Sequence, residues 1–376
     1  MDNSATPPPP LDPQLPPGVR SRMVPDVNGL AMHILEAGFE TPGRTALLLL
    51  HGFPELAYSW RKVMGPLAAA GYHVIAPDMR GYGRTSGWDE GFDVDLAPFG
   101  YVNLVRDCVA LVQALGYGKV ACVVGHDFGS PVAAHCGLIR PDVFKRVVLM
   151  SAPYEGPPQP EAAGSAGLGA GLAELATALA ALDPPRKHYQ LYYATRPADA
   201  DMREAPQGIA AFLRAYYHVK SADWPGNTPH PLPGWSAKAL AQLPDYYVMP
   251  LDRTMAEVCA AHRPDAACSW LTDDELAVYA DAFSRTGFQG GLNWYRHAVA
   301  GGNAADVRAF AGAPFDVPCL FIAGASDWGI YQSPGVFERM HEACKGFAGA
   351  HLVPGAGHWV QQEQPQAAVK AVLDFL

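Results

Sequence analysis

Charge is scarce in this chain. Only 17% of its 376 residues are Asp, Glu, Lys or Arg, and the balance is acidic, 27 Lys and Arg against 37 Asp and Glu, for a formal net charge of −10. A chain short of cations is a poor phosphate-backbone binder, so no nucleic-acid partner is expected. No apolar run of 18 residues passes uninterrupted, which excludes stable membrane insertion by a spanning helix. The most apolar-looking stretch, 162–182, is Ala and Gly broken by Ser165, Glu174 and Thr177. The N-terminus lacks a basic region followed by an apolar one, so no secretory signal is read there. Cys-x-x-Cys is absent, and the seven cysteines (Cys108, Cys122, Cys136, Cys259, Cys268, Cys319 and Cys344) are scattered and odd in number. They read as reduced core residues of a cytoplasmic protein, not a disulfide frame or zinc site.

Apolar residues, by contrast, make up 49% of the chain. That is ample for a buried core and excludes a disordered or collagen-like chain. The length corresponds to about 2.5 average domains, which fits one large domain with an insertion. Residues 1–17, with prolines at 7–10 and again at 16–17, read as a disordered or polyproline-like leader. Asn28-Gly29 between apolar residues predicts a tight hairpin. Short apolar runs at 45–50, 73–76, 120–124 and 147–150 then alternate with helical patterns at 60–70, 101–115 and 128–139, which implies a parallel sheet covered by helices. From 154 to 313 the sequence offers helices, prolines and aromatics but no convincing strand. Leu168, Leu172, Leu175, Leu179 and Leu182 fall at steps of four and three, the apolar face of a packed helix. Strand character returns at 319–323 and 350–353, with a last helix at 366–376. The expected architecture is a core of 18–153 and 314–376 with a helical cap, 154–313, between its halves.

Four motifs carry chemistry. Gly125-His126-Asp127-Phe128-Gly129-Ser130 lies between a strand and a helix. Small residues on both sides let the chain turn sharply and hold Asp127 out at the top of the sheet, as in a nucleophile elbow, while the helix N-terminus favours negative charge. An Asp that merely caps the helix fits the same letters. His51-Gly52-Phe53-Pro54-Glu55 follows a buried strand and can aim backbone N–H groups at an oxyanion, with a cis bond expected at Pro54. Asp327 follows the strand at 319–323, and Gly357-His358-Trp359 follows the last strand. Singly, these read as a turn former and a surface histidine. Together, an acidic nucleophile, an acid and a histidine appear in one chain order at strand ends that share a crevice.

The set resembles the α/β-hydrolase superfamily and, within it, the epoxide hydrolases. The resemblance rests on HGFPE (51–55), DMRGYGRTS (78–86), GHDFGS (125–130), FQGGLNWYR (288–296) and GHW (357–359), and covers roughly 24–376 except the Ala/Gly-rich stretch near 160–183. It implies an eight-stranded, mostly parallel sheet with an inserted helical cap. It implies an Asp127 alkyl ester, hydrolysed by water that His358 activates and Asp327 orients, with the N–H groups of Phe53 and Phe128 as oxyanion hole. Two cap tyrosines would donate to the epoxide oxygen. Tyr192, in Gln190-Leu191-Tyr192-Tyr193, and Tyr279, in Glu275-Leu276-Ala277-Val278-Tyr279, match, with Tyr193 a rival one residue away. Trp328 and Trp359 are expected to line the substrate. No cofactor or metal is called for; the partners are an epoxide and water, in a monomer or homodimer. A dehalogenase built on the same triad is the alternative, although Phe128 supplies no side-chain donor for a halide. A non-catalytic receptor on the same fold is the third reading, and the complete triad argues against it.

Overall fold

The computed structural model describes residues 14–158, 168–264 and 268–376, with the backbone alone for 168–170. The proline-rich leader lies outside these residues except for 14–17, as does 159–167 of the Ala/Gly-rich stretch. Eight strands make one sheet: β1 (Val19–Val27), β2 (Leu30–Ala37), β3 (Ala46–Leu50), β4 (His73–Pro77), β5 (Cys122–His126), β6 (Val147–Met150) and, after the helical cap, β9 (Cys319–Gly324) and β10 (Phe347–Val353). Their spatial order is β1-β2-β4-β3-β5-β6-β9-β10. β1 and β2 form the antiparallel hairpin that Asn28-Gly29 predicts, with both turn residues at positive φ, 51° and 81°. β2 also runs antiparallel to β4, and every other pairing is parallel.

The apolar runs are explained by helices on both faces. All residues of β3, β4, β5, β6 and β9 are buried, so these strands need no polar alternation. Chain order reverses beside β3, where β4 pairs on one side and β5 on the other, opening a crevice above the C-terminal ends. β5 begins two residues later than its apolar run suggests, because Val120 makes only an isolated bridge to Phe144. That shift makes Asp127 the first residue past the strand.

One expectation about the cap fails. It contains two short strands, β7 (Arg186–His188) and β8 (Val248–Pro250), paired antiparallel. Three-residue strands reading Arg-Lys-His and Val-Met-Pro carry no period-two signal, and residues 189–247 separate them. The helix Leu168–Ala180 forms as its leucine spacing predicts. Its face does two things: Leu179 is fully buried, while Leu172 and Leu175 line a cavity.

The cap docks where two motifs meet backbone to backbone. A Cβ on Gly290 would lie 2.0 Å from the Gly81 carbonyl oxygen, and one on Gly291 2.7 Å from Phe53 and Tyr82. The indole N–H of Trp294 donates to the carbonyl of Arg80 at 2.9 Å. The loop itself is knotted by Asp78, which accepts the backbone N–H groups of Ala57 (2.9 Å) and Arg84 (3.0 Å) and faces His33 Nδ1 at 2.7 Å. Residues 78–86 and 288–296 are thus two halves of one joint, and it fixes the cap helix Gln289–Val299 over the crevice.

Candidate active site

Asp127 stands at the tip of the β5 turn with φ 51°, a left-handed backbone that costs a non-glycine residue about 1–2 kcal/mol. The glycines beside it are obligatory. A Cβ on Gly125 would meet the Gly129 carbonyl oxygen at 2.0 Å, and one on Gly129 the Leu50 oxygen at 2.4 Å. On Gly52 a Cβ would collide with Asp127 and come within 2.7 Å of the Phe128 nitrogen. Of the two backbone N–H groups expected in the oxyanion hole, that of Phe53 donates to Asp127 Oδ1 at 2.9 Å, and the Phe128 nitrogen lies on the same side of Gly52. The Asp127 side chain does not cap the helix Gly129–Ile139; it turns the other way, toward histidine. Phe53–Pro54 is cis.

His358 Nε2 lies 3.1 Å from Asp127 Oδ2. Its Nδ1 lies 3.1 and 3.2 Å from the two oxygens of Asp327. Asp327 is anchored in turn by the N–H of Gly329, at 2.7 Å from Oδ1. The imidazole is thereby oriented by one carboxylate and directed at another. The sequence order brought these three together as expected.

Burial and charge oppose each other here. Burial disfavours the ionised form of Asp127, yet the hydrogen bond and charge of His358, with Lys220 behind, hold its carboxyl well below the usual range. Against burial, Asp327 is lowered by the charge and hydrogen bond of His358, with Ser151 and the Gly329 N–H adding to them. Burial also works against a charged His358, but the two carboxylates overcome it and push its pKa up to about 9. At neutral pH these shifts set an ionised Asp127 carboxylate against an imidazolium.

Asp127 opens into a cavity of about 600 Å³ between core and cap. Three tyrosines share that cavity with it, Tyr101, Tyr189 and Tyr295. The Asp127 carboxylate adds to burial in raising the phenols of Tyr189 and Tyr295, whereas Tyr101 is raised by burial and by Glu155. Tyr189 Oη donates to Gln332 Oε1 at 3.1 Å and accepts from Gln190 Nε2 at 3.2 Å. Tyr295 is held by ring contacts with Phe53, Phe128 and Tyr193.

The tyrosines singled out from sequence are elsewhere. Tyr192 turns its hydroxyl outward onto Asp201 at 2.8 Å, with Lys187 over its ring. Tyr279 is a buried cap residue whose hydroxyl meets the core, 2.8 Å from Ser59 Oγ and 3.3 Å from Gln362 Oε1. Tyr193 faces the Tyr216 hydroxyl at 3.2 Å. Neither Trp328 nor Trp359 lines the cavity. Trp328 packs on His230, and Trp359 is fully buried with its indole N–H on the Tyr217 carbonyl. Three tyrosines fall within one turn, Tyr189–Tyr193, so letters alone could not choose among them. Tyr295 had a signal, since it ends the FQGGLNWY segment that joins the cap to the core.

The model of the alpha/beta hydrolase fold family matches residues 45–365. Epoxide hydrolase A of Mycobacterium tuberculosis is 32% identical over 374 residues, covering 96% of this chain and 98% of the relative. The chain belongs to the epoxide hydrolases of the α/β-hydrolase family. An epoxide hydrolase of Caballeronia sordidicola is 31% identical over 93% of this chain and 91% of its own length. Among solved structures, an epoxide hydrolase from an endophytic Streptomyces superposes with a TM-score of 0.77 at 31% identity, covering 96% of each chain. Epoxide hydrolase A from Mycobacterium thermoresistibile gives 0.76 at 32% identity, over 95% of this chain and 98% of that one.

Proposed function

We propose that the chain hydrolyses epoxides to vicinal diols through an ester on Asp127, with Tyr189 and Tyr295 as the proton donors. The observation that carries this is the ionised Asp127 carboxylate facing a cavity that also holds these two buried phenols. Backside attack by Asp127 Oδ2 on an epoxide carbon breaks the C–O bond, and a tyrosine proton goes to the departing oxygen. The resulting ester carbonyl lies among the Phe53 and Phe128 N–H groups, donors suited to the oxyanion of the second step. His358 then takes a proton from water, which attacks that carbonyl, while Asp327 stabilises the imidazolium. All of these steps use side chains of this chain and water.

Phe128 offers no donor to a halide, and the donors in the cavity suit an oxygen, so the dehalogenase alternative has no observation in its favour. We take 18–153 and 314–376 as the catalytic core and 154–313 as the cap, working as a monomer or homodimer. Seven free cysteines fit a reducing cytoplasm. Incubation with styrene oxide, with a haloalkane in parallel, tests the reaction: diol from the first and no halide from the second is expected. Halide without diol would overturn it.

A further inference from the structure

Behind the triad lies a buried cation that the mechanism above does not use. Lys220 follows the helix Ile209–Val219 and is 3% exposed. Its backbone carbonyl accepts the N–H of His358 at 2.8 Å, which ties it to the catalytic loop. Its ammonium stands over five aromatic rings: Tyr247 at 4.8 Å, Tyr216 at 5.3 Å, Tyr246 at 5.8 Å, Tyr189 at 5.9 Å and Trp359 at 6.0 Å. Such a box keeps a cation charged by ring electrostatics. Among the described residues no carboxylate forms an ion pair with it. Burial lowers its pKa, and Asp127 and Asp327 are the first charges to resist that.

We propose that Lys220 is the fixed counter-ion of Asp327 and makes His358 give up its proton once Asp127 has become an ester. This rests on the ester reading above. In the resting site two carboxylates, Asp127 and Asp327, balance two cations, His358 and Lys220. Alkylation forms the Asp127 Oδ2–carbon bond and breaks the epoxide C–O bond, whose electron pair goes to the oxygen. One negative charge thus leaves Asp127 and is quenched on that oxygen by a tyrosine proton. If the tyrosinate recovers its proton from His358, the site returns to neutrality with Asp327 against Lys220 and a neutral imidazole, which is the base that water needs. Without Lys220, a tyrosinate that took its proton from solvent would leave Asp327 and a retained imidazolium already neutral, and His358 would keep its proton and fail as a base.

Other titratable groups surround the pair, and one of them, Glu363, is raised by burial to about 7. His126, its ring centre 5.0 Å from that of His358, faces Glu55 Oε2 through Nδ1 at 2.6 Å. Glu363 accepts the N–H groups of Ala222, Gly357 and Trp359 at 2.8, 2.9 and 3.0 Å. The Cys259 thiol, also beside Lys220, is raised by burial, as are the phenols of Tyr189, Tyr216, Tyr246 and Tyr247.

Single-turnover mixing of the full chain with styrene oxide, quenched and read by intact mass, separates ester formation from ester hydrolysis across pH. In Lys220→Met and Lys220→Gln, formation should change less than about threefold, while hydrolysis at pH 7 falls about tenfold for each unit that its acid limb moves upward. Lys220→Arg, which keeps the charge, should restore both the rate and the limb. Wild-type hydrolysis and pH profile in the neutral variants would overturn the proposal. So would an unmoved limb with Lys220→Arg as impaired as the rest, which marks a merely structural lysine. Absence of any ester in His358→Gln would instead sink the underlying Asp127 reading.

Discussion

A carboxylate held at a left-handed backbone angle between two glycines that admit no Cβ has been placed for one purpose. Asp127→Ala should form no diol. His358→Gln should alkylate and then stall, and intact mass should rise by the mass of the substrate. The tyrosines separate the geometry from the letters. Tyr189→Phe and Tyr295→Phe should each slow ester formation strongly, and the double variant should lose nearly all of the 10²- to 10⁴-fold that positioned acid catalysis is worth in rough terms. Tyr192→Phe and Tyr279→Phe should alkylate at close to the wild-type rate, because their hydroxyls serve Asp201 and Ser59. Stopped-flow alkylation rates for the four variants decide this, and the opposite ranking would contradict the site described here. Asp127, Asp327 and His358 were legible because each follows a strand and a motif. Tyr189 was not, because side-chain direction in the first turn of a five-residue helix depends on where that helix starts.

Elements place these residues, and the joint between core and cap is the sharpest case. Gly290 approaches Gly81 so closely that a single methyl group must push the cap helix off the sheet. Gly290→Ala should destabilise the protein by about 1–3 kcal/mol, the usual range for overpacking, measured as a urea midpoint shift. It should also slow alkylation, since Tyr295 rides on the same helix; an alkylation rate left unchanged despite lower stability would show that the joint does not position that residue. The buried strands β3, β5, β6 and β9 were readable as apolar runs. β7 and β8 were not, because three residues cannot show a period and their partners lie far apart in the chain. The motifs at 78–86 and 288–296 were visible as letters, but only their contact explains why one chain carries both.

At the scale of the molecule, buried carboxylates set the response to pH. Burial alone would raise Asp78, but His33 with the charge of His51 and the Arg84 N–H brings it down to about 2. Glu36 is likewise lowered to about 2 by His73, Arg22 and Arg20 against burial. A lowered folded pKa contributes stability above the unfolded value, and that contribution is lost as pH falls through the folded one. Urea midpoints should therefore drop between about pH 4.5 and 2. Glu363 runs the other way: burial raises it to about 7, so its contribution is present at low pH and lost as pH rises through that value. Glu363→Gln should flatten the loss on the neutral side, and an unchanged profile there would remove Glu363 from the account. The proposed mechanism turns on one covalent step at Asp127, which isotope placement tests most directly. After a single turnover of excess enzyme with styrene oxide in heavy-oxygen water, the peptide containing Asp127 should carry the label in its carboxylate, because water attacks that carbonyl. Label in the diol alone, with Asp127 unlabelled, would mean that water opens the ring directly and that the ester does not exist.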